Sequence, residues 1–390
     1  MRIWTLCCVL FLGGLTFAQV RSVPACAAFA KDGRTAFATI NDKDISLKVD
    51  RSDGTVVALS LPLRHPVPTS RLAVPASTCS VHFSRRSEIV ALGVISSPEP
   101  PGAKNVRVST VDLKTAKWIG DFSVDPRSDF LPDSLAGFLG DADLLVITGT
   151  ANHKDRAARG EVATMQFSLT GDQLSATPII RRPVETSDAP RSYPDAEHNR
   201  LWLFSCGLTR AKPYHVPLCP IELTSLTGED QPITFDPTSN STNREDSWEW
   251  PLAFAAPDSN TVVIAETVSG KDTVWRIDMQ GKSMERFVLP QRHWVKYNGM
   301  HEAALSPDGE VFAVLLNQIK LGFPYIMDNY VFRGTDVVVM QLHPLRLLGI
   351  IPHKDSSDAT ALAVDHRDGK AIVLVYRQGH LERQEFVVPQ

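Results

Sequence analysis

A short polar turn followed by a run of apolar, strand-forming residues occurs seven times along this chain. The turns are Lys31-Asp32-Gly33-Arg34, Arg85-Arg86-Ser87-Glu88, Gly140-Asp141-Ala142-Asp143, Glu197-His198-Asn199-Arg200, Pro257-Asp258-Ser259-Asn260, Pro307-Asp308-Gly309-Glu310 and Arg367-Asp368-Gly369-Lys370. Counted from the second residue of each, the steps are 54, 55, 57, 60, 50 and 60 residues. A repeat of this period is one supersecondary unit that cannot bury its apolar strand alone, so neighbouring units must stack. Hairpins repeated radially satisfy that demand. The expected fold is all-β: a seven-bladed β-propeller of four-stranded antiparallel blades, one repeat to a blade.

Within a repeat the strands are labelled a to d from the axis outward. In the sixth, a is expected at His301–Leu305, b at Val311–Leu316, c at Asp336–Leu342 and d at Leu347–Pro352. Pro presets φ in the a–b turn, Asp offers a side-chain acceptor, and Gly accepts positive φ. The runs after the turns are nearly continuously apolar, as strands covered on both faces are. Several c strands alternate instead, as in Val106–Val111 and Val274–Ile277, which predicts partial exposure farther out. The seventh repeat offers only a, b and c before the chain ends. Either the last blade has three strands, or Gln19–Val23 supplies the fourth and covers the open edge.

The first residues read as a signal peptide, residues 1–18, with Arg2, an apolar stretch from Ile3 to Phe17, and small residues before a cut after Ala18. The apolar run falls short of the roughly 20 residues that span a bilayer. Cleavage leaves 372 of the 390 residues, 19–390, as one propeller domain. The expected location is secreted or periplasmic, with no membrane span after cleavage. The formal net charge of −4 becomes −5 once Arg2 is removed, and no basic stripe stands out, which argues against nucleic acid.

Four cysteines remain after cleavage: Cys26, Cys79, Cys206 and Cys219. An even count behind a signal peptide suggests disulfides, in one of three pairings. Cys206 ends one apolar run and Cys219 begins the next, so a bridge between them would close a hairpin loop; this pairing is preferred. Cys26 and Cys79 enter the innermost strands of adjacent blades about one residue out of step. They either form a second bridge or stay as buried thiols.

Ala303–Ala313, Ala-Ala-Leu-Ser-Pro-Asp-Gly-Glu-Val-Phe-Ala, resembles the repeat unit of secreted bacterial YVTN and WD40-like β-propellers, and Asn105–Phe122 resembles their outer hairpin. The third and fourth turns depart from that pattern, and the Trp-Asp pair of true WD40 repeats is absent. The resemblance implies architecture far more than activity, because such folds carry surface proteins, enzymes and binding modules alike.

No Gly-x-Ser-x-Gly elbow, His-Glu-x-x-His, phosphate loop or Cys-x-x-Cys-His occurs. In the expected topology the a–b and c–d turns share one face. The longer b–c connections, Ile95–Lys104, Ala151–Gly160, Gly207–Pro217 and Gln318–Asn329, share the other with the d–a segments. Long irregular loops are commonly kept for binding. Aromatic residues fall in these top-face segments: Tyr214, Trp248, Trp250, Trp294, Tyr297 and Tyr325. Flat rings with a polar edge suit glycan or protein surfaces; the plain alternative is that they pin the loops. The d–a segments are expected to bring His82, Asp129, Asp188, Arg191, Glu249, His301, Glu302 and Asp358 to the channel mouth.

The expected role is noncatalytic binding of a protein or glycan at the cell envelope, without a cofactor. The first alternative is a Ca²⁺-assisted hydrolase or lactonase, with Glu302 or Asp188 as ligands and His301 as general base. The second is a structural envelope protein.

Overall fold

The computed structural model describes residues 25–41, 44–62, 77–84, 88–96, 105–124, 130–138, 144–151, 161–168, 174–176, 180–181, 191–195, 198–204, 207–208, 217–218, 221–225, 233–235, 252–256, 260–268, 271–290, 296–321, 330–352, 359–377 and 379–389. Strand dominates these residues, and no α-helix occurs among them.

The strands form antiparallel meanders in chain order. The first sheet is β1 (Ala25–Phe29), β2 (Thr35–Ile40), β3 (Asp44–Asp50) and β4 (Val56–Pro62). The second is β5 (Ser77–Phe83), β6 (Ile89–Ser96), β7 (Asn105–Asp112) and β8 (Lys117–Val124). The third is β9 (Phe130–Phe138), β10 (Leu144–Ala151) and β11 (Glu161–Ser168), with two short pieces, β12 (Leu174–Ala176) and β13 (Ile180–Arg181), both paired to β11.

In the fourth sheet, β14 (Arg191–Asp195) and β15 (Arg200–Phe204) come first. A small ribbon of β16 (Gly207–Leu208) and β17 (Pro217–Leu218) intervenes before β18 (Ile221–Ser225) and β19 (Ile233–Phe235) complete the sheet. The fifth is β20 (Leu252–Ala255), β21 (Thr261–Val268), β22 (Lys271–Asp278) and β23 (Ser283–Val288). The sixth is β24 (Lys296–Leu305), β25 (Val311–Leu321), β26 (Tyr330–Leu342) and β27 (Leu345–Ile351). The last is β28 (Ala359–Arg367), β29 (Lys370–Arg377) and β30 (His380–Val387).

The first strand of each sheet packs against the first strand of the next, and β28 packs against β1, so the sheets close a ring. This is a β-propeller. Alanines such as Ala25, Ala359, Ala361 and Ala363 line the innermost strands and are nearly fully buried, which lets strands crowd the axis. The core lies between sheets rather than inside any one of them. Ala38, Leu47 and Val57 of the first sheet meet Leu92, Val94 and Val111 of the second. Trp202 and Leu223 meet Ile264 and Trp275 across the fourth and fifth. Phe254 and Phe312 stack edge-on at 5.7 Å across the fifth and sixth. Val311, Leu315 and Val337 meet Leu362, Val373 and Val375 across the sixth and last.

The turn chemistry explains the sharp a–b reversals. Ser306 Oγ donates to Asp308 Oδ1 at 2.6 Å, and the Glu310 N–H donates to the same oxygen at 3.1 Å. The Val311 N–H donates to Ser306 Oγ, and Gly309 takes φ +78°. Asp32 works in the same way, accepting the Arg34 N–H at 3.1 Å. Such local acceptors replace the ladder bonds that a turn forfeits.

Several expectations need correction. The sixth sheet is longer than its apolar run: β24 begins at Lys296, β25 reaches Leu321 and β26 begins at Tyr330, so part of the expected loop Gln318–Asn329 is strand. β15 ends at Phe204 and β18 begins at Ile221, with the ribbon between them. The alternating c strands are more buried than expected: Ser109, Thr110 and Trp275 are all enclosed by neighbouring sheets.

Cys26 and Cys79 are bonded, with Cα atoms 5.6 Å apart, joining the innermost strands of the first two sheets. The preferred partners Cys206 and Cys219 lie outside the described residues, as do residues 1–18 and Gln19–Val23. The last sheet has three strands among the described residues.

Candidate functional site

The meander sends the a–b and c–d turns to one end of every sheet, here the lower face, and the b–c and d–a connections to the upper face. The connections differ sharply in length. Lower-face turns are confined to spans such as 30–34, 51–55, 113–116, 306–310 and 368–369. On the upper face four b–c connections are long, 97–104, 152–160, 205–220 and 322–329, while 41–43, 269–270 and 378–379 are as short as the lower turns; the d–a connections include 63–76, 182–190 and 236–251. A surface of this kind is where binding residues concentrate on a rigid scaffold.

Beneath the upper face, the sixth and last sheets share a buried polar seam. Arg377 ends β29 and is 3% exposed. Its Nη2 donates to the Thr335 carbonyl at 2.7 Å and its Nη1 to the Pro352 carbonyl at 3.0 Å, both on the neighbouring sheet. Burial pulls its pKa down, and the carboxylates of Glu382 and Asp336 oppose that. Asp336 is fully buried and accepts from Gln318 Nε2, while Thr335 Oγ1 donates to Asn317 Oδ1 at 3.1 Å. These bonds hold strands together; they present no nucleophile to solvent.

The lower face carries a second set of links from turn to turn. Arg34, 8% exposed, pairs with Asp32 at 2.8 Å and reaches Glu88 of the second sheet at 3.1 Å, with its guanidinium 5.2 Å from the Phe83 ring. Burial raises the Asp32 pKa, but hydrogen bonds and charge from Arg34 outweigh it, and the net shift is downward. His366 Nδ1 lies 2.7 Å from Asp308 Oδ2 across the sixth and last sheets. Arg367 pairs with Asp365 at 2.5 Å and donates to the Ala30 carbonyl at 3.5 Å, across the closing seam. Gly33, at φ +96°, lies beneath that guanidinium, and a β-carbon there would collide with it. Phe37 and Tyr376 complete the seam with ring centroids 5.0 Å apart.

The expected site residues are placed unevenly. Tyr214, Trp248, Trp250, Trp294, Tyr325, Asp129, Asp188, Glu249 and Asp358 lie outside the described residues. Tyr297 sits in β24 opposite Gln318, Arg191 heads β14 opposite Phe204, and His301 lies in β24 just before Glu302. Glu302 Oε1 accepts the Leu362 N–H of the last sheet at 3.1 Å, so this carboxylate bridges two inner strands.

His82, expected beside the d–a segments, stands at the other end of its strand. The backbone N–H groups of Ala30, Ser84, Ala256 and Ser306 make the same turn-closing bond, and His82 stands two residues before Ser84 in β5. That is the lower end of the inner strand, whereas Glu302 stands four residues before Ser306. Among the described residues, no group of three or more His, Cys, Asp or Glu side chains is placed to hold an ion. No helix among them is long and apolar enough to cross a membrane.

The inter-sheet arginines and His366 were not singled out by sequence. Their signal was present in the turns themselves, where Asp-Gly-Arg and His-Arg-Asp-Gly carry more charge than a turn requires.

No family model matches the chain, and no curated protein matches it. Solved structures similar to it include an oligogalacturonate lyase from Vibrio parahaemolyticus, 11% identical with a TM-score of 0.48, covering 95% of this chain and 90% of that one. Another is the Dos1 propeller, 12% identical with a TM-score of 0.44, covering 95% and 93%. Likeness at this distance carries nothing about activity.

Proposed function

We propose that this chain is a secreted or periplasmic seven-bladed propeller of the YVTN and WD40-like kind, acting as a noncatalytic binding module through its upper face. The observation that carries the reading is the contrast between the two faces. Most lower turns are short and several are tied to a neighbouring sheet by side chains, while four of the upper b–c connections, 97–104, 152–160, 205–220 and 322–329, are much longer. A scaffold closed into a ring holds such connections in fixed relation, which lowers the ordering cost of binding. The aromatics Trp248, Trp294 and Tyr297 belong to upper-face stretches of the sequence and are the proposed contacts for a glycan or protein of the cell envelope.

The test is a set of single alanine variants at Trp248, Trp294 and Tyr297, probed on a glycan array and on detergent-solubilised cell envelope. Retention should fall while the melting temperature stays near that of the parent chain. A ring packed into the core would cost about 3–5 kcal/mol on truncation. A large melting loss at all three positions, with retention per folded molecule unchanged, would refute the reading.

A further inference from the structure

The outer edge of β30 presents apolar and charged side chains in alternation with its inward-facing ones. Among the described residues β30 pairs only with β29, and its sheet has no fourth strand. Phe386 turns inward to the sixth sheet, where a β-carbon on Gly349 would press on its ring. By alternation Leu381, Arg383, Glu385 and Val387 share the opposite face. Leu381 is 42% and Val387 74% exposed, and the Arg383 and Glu385 side chains stand at 58% and 40%.

A two-fold axis perpendicular to a sheet keeps each residue on its own face, so two copies of one edge strand pair only in registers of even sum. With the axis at Gln384, Leu381 of one copy faces Val387 of the other, Arg383 faces Glu385, and Gln384 faces itself. Both apolar residues are matched and both charge pairs are of opposite sign. Opposite charges across a ladder stabilise it and like charges destabilise it.

We propose that the β30 edge is a homodimer interface, in which two copies pair antiparallel about a two-fold axis at Gln384. Light scattering after size exclusion, on the chain as secreted, should give twice the single-chain mass. R383E and E385R should each weaken association by roughly tenfold or more, because two like-charge pairs replace two attractive ones. R383E combined with E385R should restore it, since the exchange recreates both pairs. R383Q and E385Q serve where a reversal impairs folding, and they should weaken association by less than the reversals do. Single-chain mass for the parent protein would overturn the proposal, and it is the result expected if an upstream segment of the same chain occupies the edge. Dimers indifferent to both reversals, or a double exchange that fails to restore them, would overturn it equally.

Discussion

Reduction of Cys26–Cys79 isolates one tie of the ring. The bond closes a loop with a sequence separation of 53 residues between neighbouring sheets. Cross-linking a loop of that size removes denatured-state entropy equivalent to about 4 kcal/mol at 25 °C. At roughly 2.1 cal/mol/K per residue, a chain of this length has an unfolding entropy near 0.8 kcal/mol/K, so the melting point should fall by about 5 °C. The assay is urea and thermal unfolding of one preparation with and without reductant, with thiol labelling to confirm that the bond has opened. The slope of free energy against urea should also steepen, because the reduced denatured chain is more expanded. C26A/C79A should match the reduced parent chain to within the small cost of two lost sulfurs. Unchanged midpoint and slope in a fully reduced sample would refute the reasoning, since no denatured-state constraint would then be contributing.

R377M should destabilise the fold by about 3–5 kcal/mol, because it leaves two carbonyls and the buried carboxylate of Asp336 without their cation; R377K should recover little, as an ammonium lacks the planar fork that reaches both carbonyls, and urea titration reads both. Burial, opposed by Arg367, raises the Asp365 pKa, so the folded state favours its protonated form; the Asp365 contribution is present below its ordinary carboxylate range and is lost as pH rises through the raised value. The stability of the parent chain relative to D365N should therefore decline as pH rises through that window, and a difference independent of pH would remove the argument. In the ribbon Gly207 faces Leu218, so a register continued by one residue would set Cys206 opposite Cys219; peptide mapping without reductant should find them linked, and quantitative alkylation of either would exclude it.

The parts legible in sequence are those governed by local chemistry. Asp and Gly in turns such as Lys31–Arg34 and Pro307–Glu310, followed by runs such as Val311–Leu316, determine where a chain reverses and where it is covered on both faces. Less legible were features that depend on a partner some fifty residues away. Asn317 and Gln318 interrupt the apolar run and suggested a loop, yet β25 continues through them because Thr335 and Asp336 meet their side chains. Local spacing favoured the pairing of Cys206 with Cys219, whereas the bond between Cys26 and Cys79 depends on which inner strands are neighbours. Asp308 and Arg367 were legible as turn formers, but their second role exists only once the next sheet is in place. Of the candidate site, sequence offered a face by its long connections. It grouped His82 with the upper-face residues, whereas His82 stands by the a–b turn of β5, because a residue near a turn looks the same in sequence whichever end of the strand that turn occupies.

A ring of stacked sheets has no terminus to fray, but this one is not uniform around its circumference. The first sheet is covalently tied to the second, whereas among the described residues it meets the last by noncovalent packing alone, with Ala25 beside Ala361, Phe37 on Tyr376, and Arg367 at Ala30. An opening short of global unfolding is barred where the bond joins the first two sheets and must begin at a seam held by packing, such as the one between β28 and β1. The first two sheets would leave together, as a door hung on the third. Hydrogen exchange would register this as faster deuterium uptake along the facing amides of β1 and β28 than along those of β5. A pulling experiment would find its first rupture at the same line.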